Sequence, residues 1–226
     1  MKIGVILSGC GVFDGSEIQE SVFTLLAIKE NNADAVCFAP DIEQHHVINH
    51  LNGEEMNEKR NVLVESARIA RGDIKSLNEF STDNLDALVL PGGFGAAKNL
   101  SKWAFSGPDG EIQEQVKKAV VEMVLANKPV CGLCMGPTVI AKALEDSGIK
   151  AKLTVGTTKE KSPYDIAAIS GGMEKTGAVT FEKTVKEILT DEKNKIVTAP
   201  CYMMDANILE IRSNVKEAID KTISMI

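Results

Sequence analysis

The chain has 226 residues, more than the commonest domain size but within what one α/β core can fill, so a single domain spanning 1–226 and carrying insertions is expected. Its 44% hydrophobic and 25% charged residues are those of a soluble globular protein, and no apolar stretch approaches the roughly 18 residues needed to span a bilayer. A formal charge of -7 repels phosphate backbones and anionic lipid surfaces, which argues against nucleic acid and membrane as partners.

Five cysteines make an odd set in a chain much too long to need disulfide staples, so reduced thiols and a cytoplasmic setting are expected. The apolar run Ile3 to Leu7 after Lys2 is shorter than a signal-peptide core and reads as a first buried strand, Lys2 to Leu7. The loop after it, Ser8 to Ser16, leads into a helix from Glu17 to Glu30 with Ile18, Val22, Leu25, Leu26 and Ile28 at largely helical spacing and Asp14 or Ser16 as candidate caps. Glu17 and Glu20 stand about one turn apart there, so either could move a proton, or both could simply offset the helix dipole.

A strand at Ala35 to Phe38 precedes the stretch 41–73, which holds His45, His46 and His50 and then an amphipathic segment, Asn61 to Ala70. A Cys–His hydrolase needs its histidine on a late strand or loop, so these three read as solvated loop residues. The strand Ala87 to Leu90 ends in Pro91-Gly92-Gly93, where bare backbone lets N–H groups approach a ligand. Pro-Gly-Gly-Phe-Gly matches neither a Walker sequence nor a dinucleotide fingerprint.

A helix at Glu111 to Ala126 and a strand at Pro129 to Leu133 bring the chain to Cys134-Met-Gly-Pro. Strand, nucleophile, Gly136 for a sharp turn and Pro137 in the first turn of a helix from Pro137 to Leu144 form a nucleophile elbow with sulfur in place of a serine oxygen. The helix N-terminus beside it favours thiolate, and the Gly93 and Met135 amides are candidates for an oxyanion hole; a buried structural cysteine is the alternative. Cys131 completes a C-x-x-C but falls inside the strand, where a redox partner would not sit, and Cys10, Cys37 and Cys201 lack zinc-site spacing, so no metal is assigned. Beyond lie a weaker strand near Lys152 to Val155, a Lys/Gly/Ser-rich stretch 157–184, a strand at Lys195 to Thr198 and a closing helix from Asn207 to Ile226. Strands alternating with helices describe a mostly parallel, doubly wound sheet.

Cys-Met-Gly-Pro-Thr after a strand, Leu-Pro-Gly-Gly before Ala-Ala-Lys-Asn-Leu, and Glu20 on the first helix resemble the class I glutamine-amidotransferase-like superfamily. Leu-Ser-Gly-Cys-Gly-Val-Phe-Asp-Gly-Ser-Glu, Val-Ile-Asn-His-Leu-Asn-Gly-Glu, Pro-Gly-Gly-Phe-Gly-Ala-Ala-Lys-Asn-Leu and Asn-Lys-Ile-Val-Thr-Ala-Pro are similar to the enhancing-lycopene-biosynthesis, or sigma cross-reacting, proteins, across nearly the whole chain. The resemblance implies a flavodoxin-like fold, Cys134 as nucleophile, and Glu20 rather than Glu17 as the acid that contacts it. PfpI-type proteases carry a His directly after the nucleophile and true amidotransferases a later His-x-Glu; Met135 and the absence of histidine beyond His50 mark this chain as neither protease nor glutaminase. The resemblance implies instead a glyoxalase that needs no cofactor, metal or glutathione and takes a small carbonyl substrate. The rivals are a redox-sensing or regulatory protein associated with isoprenoid biosynthesis, in which Cys134 is oxidised without turnover, and a binding partner for that metabolism. Dimers are common in such folds, and by that analogy a homodimer is a candidate assembly.

Overall fold

A computed structural model describes residues 1–226. In chain order the elements are β1 (Lys2–Ile6), α1 (Ile18–Glu30), β2 (Asp34–Ala39), α2 (Val62–Ile69), β3 (Ile74–Ser76), β4 (Ala87–Leu90), the short α3 (Trp103–Ser106), α4 (Glu114–Leu125), β5 (Val130–Leu133), α5 (Gly136–Leu144), β6 (Lys152–Leu153), α6 (Ile166–Lys175), β7 (Val179–Thr180), β8 (Leu189–Asp191), β9 (Ile196–Ala199) and α7 (Ile208–Ser224). Seven strands form one sheet in the order β3-β2-β1-β4-β5-β9-β8, parallel throughout except for antiparallel β8, and β6 pairs with β7 in a separate ribbon. The inner run β2-β1-β4-β5-β9 is the flavodoxin-like order.

The sequence dictates this sheet because β4 (Ala-Leu-Val-Leu) and β5 (Val-Cys-Gly-Leu) are apolar without alternation and buried at every position, as strands covered on both faces must be. The crossover through α1 runs from β1 toward one edge and that through α4 from β4 toward the other, so right-handed connections place the two helices on opposite faces. α7 packs on α1, and α5 packs on α4. Strand order reverses between β1 and β4, and the crevice at a reversal, outside the carboxyl ends of the strands, is where such folds bind ligands.

Several sequence expectations need correcting. The cap of α1 is neither Asp14 nor Ser16 but Glu17, whose carboxylate accepts the Glu20 amide at 2.6 Å. β3 and β8 form the two sheet edges and α6 fills part of 157–184; none was expected, because three-residue strands and a helix containing a Gly-Gly pair carry little periodic signal. The weak strand near Lys152 exists but belongs to the side ribbon and not to the main sheet.

Candidate active site

β5 ends at Leu133, in register with Ala199 of β9, and the Cys134 N–H donates to the Ala199 carbonyl at 3.0 Å. The next bond must turn sharply into α5, and Cys134 does so at φ 55°, a left-handed conformation that a non-glycine residue adopts at a cost of order 1–3 kcal/mol. Gly136 completes the turn because a Cβ there would collide with the Leu90 carbonyl, and Pro137 sits in the first turn of α5. The elbow read from the sequence is present.

Glu20 reaches this elbow from the first turn of α1 and is fully buried. Two backbone amides from different strands' loops hold its carboxyl: the Gly92 N–H donates to Oε2 and the Tyr202 N–H to Oε1, each at 3.1 Å. Its remaining contact is a hydrogen bond with the Cys134 thiol. Gly92 makes this meeting possible. A Cβ on it would lie 2.5 Å from Glu20 Oε2 and 2.8 Å from the Cys134 sulfur, and closer still to the Cys134 Cβ.

Burial, with the charge of Glu17 adding to it, pushes the Glu20 carboxyl up to about 8, so it carries a proton at neutral pH. Burial and then the charge of Glu20 also push the Cys134 thiol well above its ordinary value, while the Gly93 N–H, which donates to the sulfur, pulls the other way. The low-pKa thiolate expected from the helix N-terminus is therefore corrected: Cys134 is only 5% exposed, and desolvation outweighs a dipole that begins two residues later. The two groups form one coupled acid pair and lose protons as a unit.

Of the sequence-predicted residues, Cys134, Glu20 and Gly93 come together, and Met135 follows Cys134 with its amide outside the backbone hydrogen-bond ladder. Glu17 caps α1 within electrostatic reach of both members of the pair, its own carboxyl raised by burial. His50 is an exposed loop residue, as read from the sequence, and it also makes local bonds: its Nδ1 is 3.0 Å from the Ile48 carbonyl and its Nε2 accepts the Phe13 N–H at 3.2 Å, clipping the histidine-bearing segment to the loop after β1. Buried Asp14 receives the Ile48 N–H at 2.7 Å and strengthens the clip. His45 is exposed, and neither it nor His46 approaches the pair.

Sequence reasoning missed Cys201 and Tyr202. Cys201, also left-handed at φ 47°, is buried with its sulfur against the Cys134 amide, and Tyr202 supplies half of the Glu20 cradle. Ala199-Pro200-Cys201-Tyr202 closes a buried strand on the same sheet edge as the elbow, and that position was the available signal. Cys131 faces away, hydrogen-bonded to Thr222 of α7 and pushed up to about 12 by burial.

A doubly wound sheet with a cysteine elbow and a buried glutamate at its strand-order reversal defines the class I glutamine-amidotransferase-like architecture. No protein-family model matches the chain. It is 39% identical to the mitochondrial ES1 protein homolog of Rattus norvegicus over 99% of this chain and 84% of that protein. It is likewise 39% identical to the mitochondrial glutamine amidotransferase-like class 1 domain-containing protein 3 of Homo sapiens, over 99% and 83%. An isoprenoid biosynthesis protein with amidotransferase-like domain from Ehrlichia chaffeensis superposes at TM-score 0.90 with 33% identity, over 100% of this chain and 99% of that one. The chain thus belongs to the ES1, glutamine amidotransferase-like class 1 family. Glyoxalase III of Candida albicans shares the fold at TM-score 0.60 with 16% identity, over 97% and 96%.

Proposed function

We propose that the chain is a cofactor-independent glyoxalase that converts glyoxal or methylglyoxal to the corresponding 2-hydroxy acid. One observation carries the reading: a fully buried carboxyl meets the Cys134 sulfur across the bare face of Gly92, and its two other partners are backbone N–H groups, which cannot take a proton from it.

The pair must first lose one of its two protons. The proton that remains is shared, so the sulfur can act as thiolate while Glu20 stays protonated. Sulfur adds to one aldehyde carbon as Glu20 gives its proton to the carbonyl oxygen, and the Gly93 and Met135 amides steady the charge developing there. The Glu20 carboxylate then removes the proton from that carbon, its electron pair forming the double bond of an enediolate. The hydroxyl proton passes to the neighbouring oxygen, and Glu20 returns its proton to the neighbouring carbon as the first oxygen becomes a carbonyl. One carbon is thereby oxidised to a thioester and the other reduced to an alcohol, with no external oxidant. Water cleaves the thioester, releasing glycolate from glyoxal or lactate from methylglyoxal and regenerating the thiol.

Redox sensing draws less support from this geometry, since sensor cysteines are exposed and readily ionised, whereas Cys134 is buried and its thiol is raised. Purified chain incubated with glyoxal, with chelator and without glutathione, is expected to yield glycolate. Cys134→Ala and Glu20→Gln should each lower the rate by about a hundredfold or more. No glycolate from native protein whose Cys134 still alkylates would return the account to the sensor reading.

A further inference from the structure

Beside the Cys134 centre lies a largely apolar cavity of about 580 Å³ whose walls include Phe13, Phe94, Phe105 and Tyr164, with Lys98 the only charged residue among them. Phe94 directly follows Gly93, whose amide donates to the Cys134 sulfur, and its ring meets that of Tyr164 edge-on at 5.7 Å. Tyr164 in turn stands within electrostatic reach of Cys134 and Glu20. Phe94 is thus two residues along the chain from Gly92, whose bare face abuts the Cys134 sulfur, and this short segment links the cavity to the nucleophile. Small-molecule sites commonly span roughly 300–1,000 Å³, so this space is far larger than a two-carbon dialdehyde requires.

Lys98 gives the cavity its chemical sign. It belongs to one turn of π-helix, Ala96–Leu100, in which Asn99 turns inward to bond the carbonyls of Ser8 and Asp14 at 2.9 Å each. Lys98 is left on the cavity side. Its ammonium donates to the Phe13 carbonyl at 2.8 Å and lies 5.6 Å from the Phe94 ring centre, and no carboxylate is within ion-pair distance. Asp14 and Glu55 reach it only through their field, and the Asp14 carboxylate already accepts the Ile48 N–H. A half-buried cation without a counter-ion, at the edge of an aromatic cavity in a chain of net charge -7, is a waiting partner for an anion.

We propose that this cavity is a second subsite of the Cys134 centre, selecting 2-oxoaldehydes that carry an apolar, aryl-sized body and an anionic group held by Lys98. The proposal rests on the carbonyl-processing reading above and names its substrate class. Simple glyoxal would then be a minimal substrate that leaves the subsite empty.

The test compares kcat/KM of the full chain for glyoxal, phenylglyoxal and 4-carboxyphenylglyoxal, in native protein and Lys98→Met. Native protein should prefer the carboxylated over the neutral aryl substrate by about tenfold, and in Lys98→Met that ratio should fall to about one. Glyoxal turnover without the preference, or a preference that survives in Lys98→Met, would overturn the subsite and leave the proposed function standing. If no aldehyde is turned over, the proposed function fails and binding decides the subsite alone. Titration with the unreactive ketones 4-acetylbenzoate and acetophenone should then show the same tenfold, Lys98-dependent difference, and equal affinities would refute it.

Discussion

At the scale of single residues, the site depends on a glycine that carries no chemistry. Gly92 donates its N–H to Glu20 and leaves bare the space in which Glu20 and Cys134 meet. Gly92→Ala should lower turnover by about a hundredfold, because an ångström of misplacement between reacting groups costs that much. It should also destabilise the fold by about 1–3 kcal/mol through overpacking, measured as the denaturant midpoint. The sequence announced Cys134 clearly, since a strand, a cysteine, Gly136 and Pro137 in that order describe an elbow. Glu20 was legible only in part: helical spacing showed that it shared a face with Glu17, but choosing between them required knowing that one turn of α1 faces the end of β5. The thiol's ionisation was misread because a dipole argument is local, whereas desolvation comes from residues far along the chain.

At the scale of elements, the long parallel-sheet strands and their helices were readable because continuous apolar runs and 3.6-residue spacing are strong signals. The edges β3 and β8, the ribbon β6–β7 and the loops that meet over the site were not, because tertiary contacts fix them. Those contacts make distinct predictions for α7. Its N-terminus carries a capping box, with the Asn207 side chain bonded to the Leu209 and Glu210 amides and Glu210 returning to the Asn207 amide. One turn further in, Asn214 accepts the buried Cys201 N–H at 3.0 Å and so supports the loop that presents the Tyr202 amide to Glu20. Asn207→Ala should therefore cost about 1 kcal/mol in chemical unfolding with kcat unaffected. Asn214→Ala should cost about 1–3 kcal/mol and lower kcat as well, since it leaves the buried Cys201 amide unpaired and loosens the Glu20 cradle.

At the scale of the whole molecule, opposing sets of carboxyls shape how stability depends on pH. Burial raises Asp14, Glu17 and Glu20 in the folded chain, so folding holds their protons more tightly than the unfolded chain does. Stability from these groups is complete below their unfolded values and falls as pH rises, for Glu20 through to about 8. Asp34, Glu182 and Glu187 are lowered by Lys29, Thr158 and Thr184 respectively, and their contribution is lost as pH falls below the ordinary carboxylate range. Thermal melts should therefore peak on the acid side, at about pH 5, and decline toward pH 8. The decline should be shallower in Glu20→Gln; a flat native profile from pH 5 to 8 would contradict the burial account. No helix is long and apolar enough to cross a membrane.

The claim that joins these scales is that Cys134 and Glu20 act as one proton-sharing pair, and the pH dependence of kcat/KM with glyoxal tests it most directly. Below the value of about 8 that burial gives Glu20, both groups hold protons and no nucleophile exists, so the rate should climb with pH and level off near that point. In Glu20→Gln the residual rate should lose this inflection and follow only the thiol, at higher pH. A native profile that is flat from pH 6 to 9, or one whose inflection is the same in Glu20→Gln, would contradict the account.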